Sequence, residues 1–391
     1  MRVLVAMQLA GSYSKIAGEI IPRLVSSNID VMVVSIPPSI LPLQWKVGDL
    51  CYCVKGKNVK FVLNIRRRED LQAITAFHPD AVLNIYEPTM LVLKDILFAA
   101  STLKDTAVRE GAPFIGYFTL DHYPLRGRGQ AQILDNLFDF VIPVTSYEGR
   151  LARERLSRCK VVEPVPYGVD HAVYNPSAWS ASPMGRKLKE VREFKVIYVG
   201  TGSPYKDPGR WYRVVGEMAR RGVPVRGVLK LSTAVGTSSM PADVSVLEDV
   251  NQLAGKIEYV LGWLDDRELA ALVSACDVFL TLSTAESFCL AALEAQACGL
   301  PVVLPDIPQL REVYGDSTLY VKREGTWYSG LGGFYVTSSV EDAVEKLVLL
   351  YEDAGFRKEM QARSLANAKR YSWDESAAKI IKILESVAGR R

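Results

Sequence analysis

The chain has 391 residues, enough for two domains of ordinary size. Apolar residues make up 49% and charged residues 23%, a globular balance that argues against long disorder. Net charge is +3, too small to imply a nucleic-acid partner, and the excess lies wholly in residues 1–171, with 20 basic and 17 acidic side chains against 27 and 27 in 172–391.

The N-terminal stretch MRVLVAMQLAGSYSK has neither a long apolar core nor a small-residue cleavage site, so no signal peptide is expected and the chain is placed in the cytoplasm. Buried strands are expected at Val3–Met7, Val31–Val34, Val59–Leu63, Ala81–Ile85, Phe114–Phe118 and Val141–Val144, each short and almost continuously apolar. The uncharged run from Val31 to Trp45 is 15 residues long and holds Pro37, Pro38 and Pro42, so it cannot cross a bilayer as one helix. Helical patterns at Arg67–Phe77, Thr89–Glu110 and Ser146–Arg158 alternate with the strands, which points to βαβ crossovers and a parallel sheet. The pattern breaks in a Pro-, Ser- and Gly-rich linker around Tyr167–Arg192.

After the linker the alternation restarts. Strands are expected at Lys195–Val199, Val225–Leu231, Ile257–Leu261, Val278–Leu282 and Pro301–Leu304, with helices at Asp265–Ala275 and Phe288–Cys298. Three helical stretches, Val340–Asp353, Phe356–Arg370 and Trp373–Val387, close the chain. The expected architecture is α/β: two Rossmann-like, doubly wound domains facing a central cleft, with ligands beyond the C-terminal strand ends. The domains are 1–170 and 193–371, joined by a linker at 171–192, and the last helix, 372–391, crosses back to the first domain.

Six scattered cysteines form no CxxC pair, and there are three histidines, so a zinc or His-rich metal site is not expected. Three segments carry candidate chemistry. The turn Gln8-Leu9-Ala10-Gly11-Ser12-Tyr13-Ser14 opens a helix and would let backbone N–H groups approach a phosphate or sugar oxygen, although such a turn needs a glycine on steric grounds alone. Gly200-Thr201-Gly202-Ser203-Pro204-Tyr205-Lys206 follows the strand that opens the second domain. It can cradle a diphosphate with Lys206 supplying charge; it is not a Walker A sequence, and a solvated lysine is the plain alternative.

The third segment, Ser283 to Glu294, lies between a strand and a helix whose unpaired N–H groups suit a diphosphate. Were every step helical, Glu286 and Glu294 would stand about 12 Å apart, the order of length of a nucleotide sugar from hexose to ribose. Carboxylates accept paired hydrogen bonds from vicinal hydroxyls, so one glutamate at each end would grip both sugars.

Glu286-x7-Glu294 followed by Ala295-Gln296-Ala297-Cys298-Gly299-Leu300-Pro301-Val302-Val303 resembles the signature of glycosyltransferase family 4, a group 1-type family of retaining enzymes with the GT-B fold. Gly262-Trp263-Leu264, Ala275-Cys276-Asp277-Val278-Phe279, Pro166-Tyr167-Gly168-Val169-Asp170 and Tyr371-Ser372-Trp373 agree with it, and the likeness is densest over about 195–312. The resemblance implies transfer of a hexose from a UDP-, GDP- or ADP-linked donor to a sugar or lipid-linked acceptor. Lys206, in the loop with Gly200 and Thr201, would hold the donor phosphates. Glu286 and the amides of Phe288, Cys289 and Leu290 would meet hexose and diphosphate, and Glu294 the ribose. Ala10 and Gly11 match the acceptor-side glycine loop, and Asp121-His122 falls where relatives place a histidine near the reacting sugar, so His122 and Glu286 are the catalytic candidates. The family as a rule needs no metal or other cofactor, consistent with the lack of a DxD motif.

Three positions depart from the family pattern. Thr201 stands where an arginine usually lies five residues before the phosphate-binding lysine, Asp207 stands for the glycine after it, and Cys289 for the glycine after Glu-Ser-Phe. A hydroxyl cannot replace a guanidinium's paired bonds, and Arg210, Arg213 and Lys230 are the cations that could compensate. Elsewhere, His78 reads as a helix cap, His171 lies in the linker, and Arg66-Arg67-Arg68 reads as a solvated helix start. The basic amphipathic run Arg150–Arg158, with the apolar loop Ile36–Trp45, would suit peripheral contact of the first domain with the inner membrane face. Besides hexosyl transfer, an epimerase or hydrolase on the same fold, or a silent nucleotide-sugar-binding protein, fits the sequence.

Overall fold

The computed structural model describes residues 1–7, 12–36, 59–62, 68–86, 88, 91, 94–120, 128–232, 253, 255–328 and 334–388. The chain divides into two compact units: Met1–Gly168 with Trp373–Arg391, and Val169–Gly330 with Phe334–Ser372.

In the first unit, β1 (Arg2–Met7), β2 (Asp30–Ser35), β3 (Val59–Val62), β4 (Ala81–Ile85), β5 (Phe114–Tyr117), β6 (Phe140–Ile142) and β7 (Lys160–Val161) form one sheet in the order β3-β2-β1-β4-β5-β6-β7. Every pairing is parallel. Such a sheet is covered on both faces, which is why Val3, Leu4, Val5, Val82, Leu83, Phe114 and Ile115 are all fully buried and read as unbroken apolar runs. The terminal helix Trp373–Ala388 belongs to this unit. Trp373 stacks at a tilt against Tyr167, with ring centroids 6.0 Å apart, and Ser376 Oγ donates to the Pro166 carbonyl at 2.7 Å.

The second unit repeats the design. β8 (Phe194–Thr201), β9 (Val225–Ser232), β10 (Ile257–Leu261), β11 (Val278–Leu280), β12 (Val302–Pro305) and β13 (Leu319–Val321) run parallel in the order β10-β9-β8-β11-β12-β13. Successive strands build outward from β8 on one side and then resume at β11 on the other. The order therefore reverses between β8 and β11, and the C-terminal ends of those two strands open onto the switch point of the sheet, where such folds bind ligands. The Pro208–Arg220 helix packs Trp211, Val214, Val215 and Met218 onto the sheet, while Leu347 and Leu350 from the Val340–Glu352 helix join the same core.

A two-stranded antiparallel hairpin, β14 (Arg323–Tyr328) and β15 (Phe334–Ser338), stands apart from both parallel sheets. The expected strands and helices recur in the structure with ends shifted by a few residues, but this hairpin was not among them.

Candidate functional site

Both site loops of the second unit grow from the switch point. The first leaves β8 at Gly200 and Thr201. Gly200 is required there by packing: a Cβ would come within 2.7 Å of the Tyr198 hydroxyl, whose O–H in turn donates to the Thr201 carbonyl at 3.1 Å. The Thr201 and Ser203 hydroxyls hydrogen-bond to each other, so Thr201 is engaged within its own loop. A short turn, Pro204–Lys206, delivers Lys206, and Asp207 in the left-handed region (φ +43°) starts the Pro208–Arg220 helix.

Asp207 does not confront an incoming anion. Its carboxylate caps the helix, accepting from Arg210 N–H at 3.1 Å and from Arg210 Nε at 3.0 Å. This engages Arg210, whose Nη1 donates in addition to the Ser338 carbonyl at 2.8 Å. Lys230 is committed as well: it is buried, and its ammonium donates to Ser232 Oγ at 2.7 Å and to the Gly262 carbonyl at 2.8 Å. Burial pulls its pKa down to about 8. Neither residue supplies the free cation that Thr201 leaves wanting.

The second loop runs from β11 through Ser283–Cys289 to the helix Leu290–Ala297. The helix begins at Leu290, later than the expected Phe288, so Glu286 sits on the loop and the eight steps to Glu294 are not all helical. Cys289 is the N-cap residue and lies in the left-handed region with φ +59°, a conformation costing an L-residue about 1–2 kcal/mol. That explains the glycine usual at this place in the family pattern. Tyr314 holds the turn in compensation, its hydroxyl lying 2.9 Å from the Phe288 carbonyl and 2.8 Å from that of Cys289. Phe288 is buried edge-on against Tyr371, with ring centroids 5.7 Å apart. At the far end, Gly299 leaves the helix at φ +81°, the left-handed exit that glycine takes without strain.

The two loops meet in an ion pair. Lys206 Nζ donates to Glu286 Oε1 at 2.5 Å, with the glutamate side chain almost wholly buried. Burial alone would lower the ammonium's pKa, but the Glu286 carboxylate, with Tyr205 and Cys289 adding to it, holds Lys206 well above the usual lysine range. Burial pushes the Cys289 thiol up, and Glu286 adds to this while Lys206 opposes it, so the side chain is a neutral thiol beside the pair. Thr284 binds the loops backbone to backbone: its N–H donates to the Tyr205 carbonyl at 2.7 Å and its hydroxyl to the same oxygen at 2.9 Å.

Glu294 is buried on the helix, and with burial itself its charge raises the Tyr174 phenol well above the ordinary range. Its neighbour Gln296 makes a buried network, donating to Ser317 Oγ at 2.8 Å and accepting from Asn367 Nδ2 at 2.8 Å. The arrangement as a whole puts a paired lysine and carboxylate on loops at the N-terminal side of a short helix that carries a second buried carboxylate, a setting for an anionic group flanked by hydroxyl-rich ones.

The first-unit candidates Ala10, Gly11, Asp121 and His122 lie outside the described residues. Leu120, the last described residue before Asp121, is held in place: Glu148, fully buried, accepts from Leu120 N–H at 2.9 Å and from Val144 N–H at 3.2 Å. His78, at φ +48°, pairs through Nδ1 with Glu110 Oε2 at 2.9 Å, and His171 Nε2 lies 3.2 Å from the Tyr371 carbonyl. Sequence reasoning missed Thr284, Tyr314, Glu148 and the hairpin. The first three act through backbone contacts that leave no local pattern, whereas the hairpin had a signal: aromatic and β-branched residues on either side of Ser329-Gly330-Leu331-Gly332-Gly333. Among the described residues no group of three or more His, Cys, Asp or Glu could hold a metal ion, and no helix is long and apolar enough to cross a membrane.

The chain is similar to known proteins in both sequence and fold. Residues 185–371 match the family described as glycosyl transferases group 1. A D-inositol 3-phosphate glycosyltransferase of Paenarthrobacter aurescens is 28% identical over 258 residues, 65% of this chain and 58% of that protein. Its namesake in Mycobacterium bovis is 30% identical over 258 residues, 65% of this chain and 49% of that one. The chain thus spans about half the length of the curated relatives it matches. Among solved structures, sucrose-phosphate synthase of Thermosynechococcus elongatus superposes with a TM-score of 0.74 at 13% identity, over 100% of both chains. Anabaena HepE in complex with UDP-glucose gives 0.72 at 14% identity, over 99% of this chain and 100% of that one. Likeness at such identity carries the fold, which is GT-B with two Rossmann-like units. Motif, fold and family match point the same way: residues 185–371 carry the match to the glycosyl transferases of group 1, on a GT-B fold.

Proposed function

We propose that the protein is a retaining glycosyltransferase that moves a hexose from a UDP-, GDP- or ADP-linked donor to a sugar or lipid-linked acceptor. The observation that carries this reading is the Lys206–Glu286 pair at the switch point, beside the N-terminus of the Leu290–Ala297 helix. Lys206 and the helix amides stabilise the charge that builds on the leaving diphosphate, attack and departure occurring on one face of the hexose. Glu286 accepts from hexose hydroxyls, and Glu294, eight residues on, from the ribose. Ala10, Gly11, Asp121 and His122 serve the acceptor side. The reaction needs no metal, so a chelator leaves turnover unchanged.

A thermal-shift screen of UDP-, GDP- and ADP-hexoses tests it, since a bound donor raises the melting temperature. Nucleoside diphosphate release with and without acceptor then reports turnover. Glu294→Ala should weaken nucleotide binding about tenfold, the worth of a charged hydrogen bond; unchanged affinity contradicts the ribose role. A silent nucleotide-sugar-binding protein is the second reading. It draws on Thr201 being engaged with Ser203 and Arg210 with Asp207, which leaves Lys206 as the phosphate partner drawn from this loop. Measurable binding with no release from any donor would favour it. Peripheral contact with an anionic membrane through Arg150–Arg158 is part of the proposal and is checked by vesicle flotation.

A further inference from the structure

The hairpin is built into the walls of this site. Val336 N–H donates to the Thr284 carbonyl at 2.7 Å, so β15 is fastened to the loop that carries Glu286. At its base, Arg210 ties the Ser338 carbonyl to the start of the helix that follows Lys206. The same guanidinium lies 3.7 Å from Glu324 on β14. Both site loops therefore hold the hairpin in place.

On that hairpin Trp327 and Tyr335 sit directly opposite one another in register. Their rings are stacked, with centroids 4.4 Å apart and planes 13° from parallel. Tyr335 is buried, whereas Trp327 is 45% exposed although it is among the largest apolar side chains in the protein. One indole face lies on the tyrosine, so the exposure belongs to the other face and the ring edges. An exposed tryptophan held rigid from behind offers an electron-rich flat surface at little entropic cost. Val336 directly follows Tyr335, and its partner Thr284 stands two residues before Glu286, so the platform and that carboxylate are anchored to one loop. The hairpin joins the loop two residues before Glu286, the glutamate proposed to meet the hexose.

We propose that the open face of Trp327, backed by Tyr335, is a stacking platform for a pyranose ring of the acceptor. The claim rests on the glycosyl-transfer reading above and adds that the acceptor is a carbohydrate bound by its apolar C–H face. A pyranose turns such a face outward between its equatorial hydroxyls, and its weakly positive C–H edges complement the negative face of the indole. The platform carries no charge of its own, so it selects ring shape and not phosphate.

Saturation-transfer NMR on the full chain tests it, with methyl α-D-glucopyranoside, methyl α-D-mannopyranoside and methyl β-D-galactopyranoside as probes and UDP, GDP and ADP as nucleotide controls. The wild-type protein should saturate the ring C–H protons of at least one glycoside. Trp327→Ala should cut that signal at least fourfold, Trp327→Phe should keep most of it, and nucleotide signals should not change. Trp327→Ala also loses the stack on Tyr335, so its melting temperature should fall by only a few degrees while nucleotide signals persist, which separates lost binding from lost fold. The proposal is overturned if no glycoside is saturated by the wild-type protein, if Trp327→Ala leaves glycoside signals intact, or if it removes nucleotide signals instead. Failure of every nucleotide to bind the wild-type protein would overturn the transfer reading itself and this platform with it; normal nucleotide binding with indifferent glycosides overturns the platform alone.

Discussion

Lys206 and Glu286 neutralise one another in a site where little water can compensate either, so any anion that enters must draw the ammonium away from a nearly buried carboxylate. Glu286→Gln keeps the shape and removes that competition. It should tighten binding of the free nucleoside diphosphate by about three- to tenfold, a gain of order 1 kcal/mol, while lowering transfer at least a hundredfold; isothermal titration and initial rates check the two halves separately. Lys230 poses the opposite problem, a buried ammonium whose hydrogen-bond partners, Ser232 and the Gly262 carbonyl, are neutral. With its pKa down to about 8 in the folded protein and near 10.4 in the unfolded chain, both states hold the proton below pH 8 and the folded state carries the desolvation cost there. Between those values the unfolded chain binds more protons, so stability rises with pH through that window and is level above it. Lys230→Met should raise the melting temperature at pH 7 and flatten the rise, which thermal melts from pH 7 to 10 will show.

At the scale of elements, the Leu290–Ala297 helix keeps its station through one buried amide. Gln296 joins it to Ser317 on one side and to Asn367 on the Ala354–Ala368 helix on the other. Gln296→Ala takes away the acceptor of Asn367 Nδ2 and the donor to the Ser317 carbonyl around a small void and should cost about 2–4 kcal/mol, read as a lower denaturant midpoint for the second unit. The helices and strands around it were largely legible beforehand because parallel strands buried on both faces leave continuous apolar runs. Ala81–Ile85, buried throughout, has its bounds legible to the residue on that signal, whereas Ile257–Leu261, equally legible in its bounds, is an edge strand that is largely exposed. The start of the site helix was not. The apolar pattern runs on through Phe288 and Cys289, while the backbone turns left-handed at Cys289 under the hold of Tyr314, a contact 25 residues away in sequence. Lys206 and Glu286 could each be named from motif, but their pairing across 80 residues could not. The hairpin escaped for another reason: its strands belong to no βαβ alternation, and Trp327 lies outside the two-sheet grammar that made the rest readable.

For the whole molecule, the path of the chain matters more than any single contact. It leaves the first unit at Gly168, builds the second, and returns at Trp373 to complete the first. The returning helix buries Trp373, Ala377, Ile380, Leu384 and Val387. At roughly 1.5–3 kcal/mol for each of the four large apolar side chains, its removal takes about 6–12 kcal/mol from the first unit as an upper bound. That is comparable with the entire stability of an ordinary domain. The Arg23–Asp374 ion pair at 2.6 Å adds little to this, because Asp374 is largely in water. The second unit keeps its own six-stranded sheet, its core and the Lys206–Glu286 pair without the helix. A chain ending at Ser372 should therefore lose the calorimetric transition of the first unit and retain that of the second. The retained transition should still rise with added nucleoside diphosphate, since the residues proposed to bind it all lie between Gly200 and Glu294. Loss of both transitions on truncation, or a retained transition that no longer responds to any nucleotide, would mean that the second unit neither folds nor binds on its own residues.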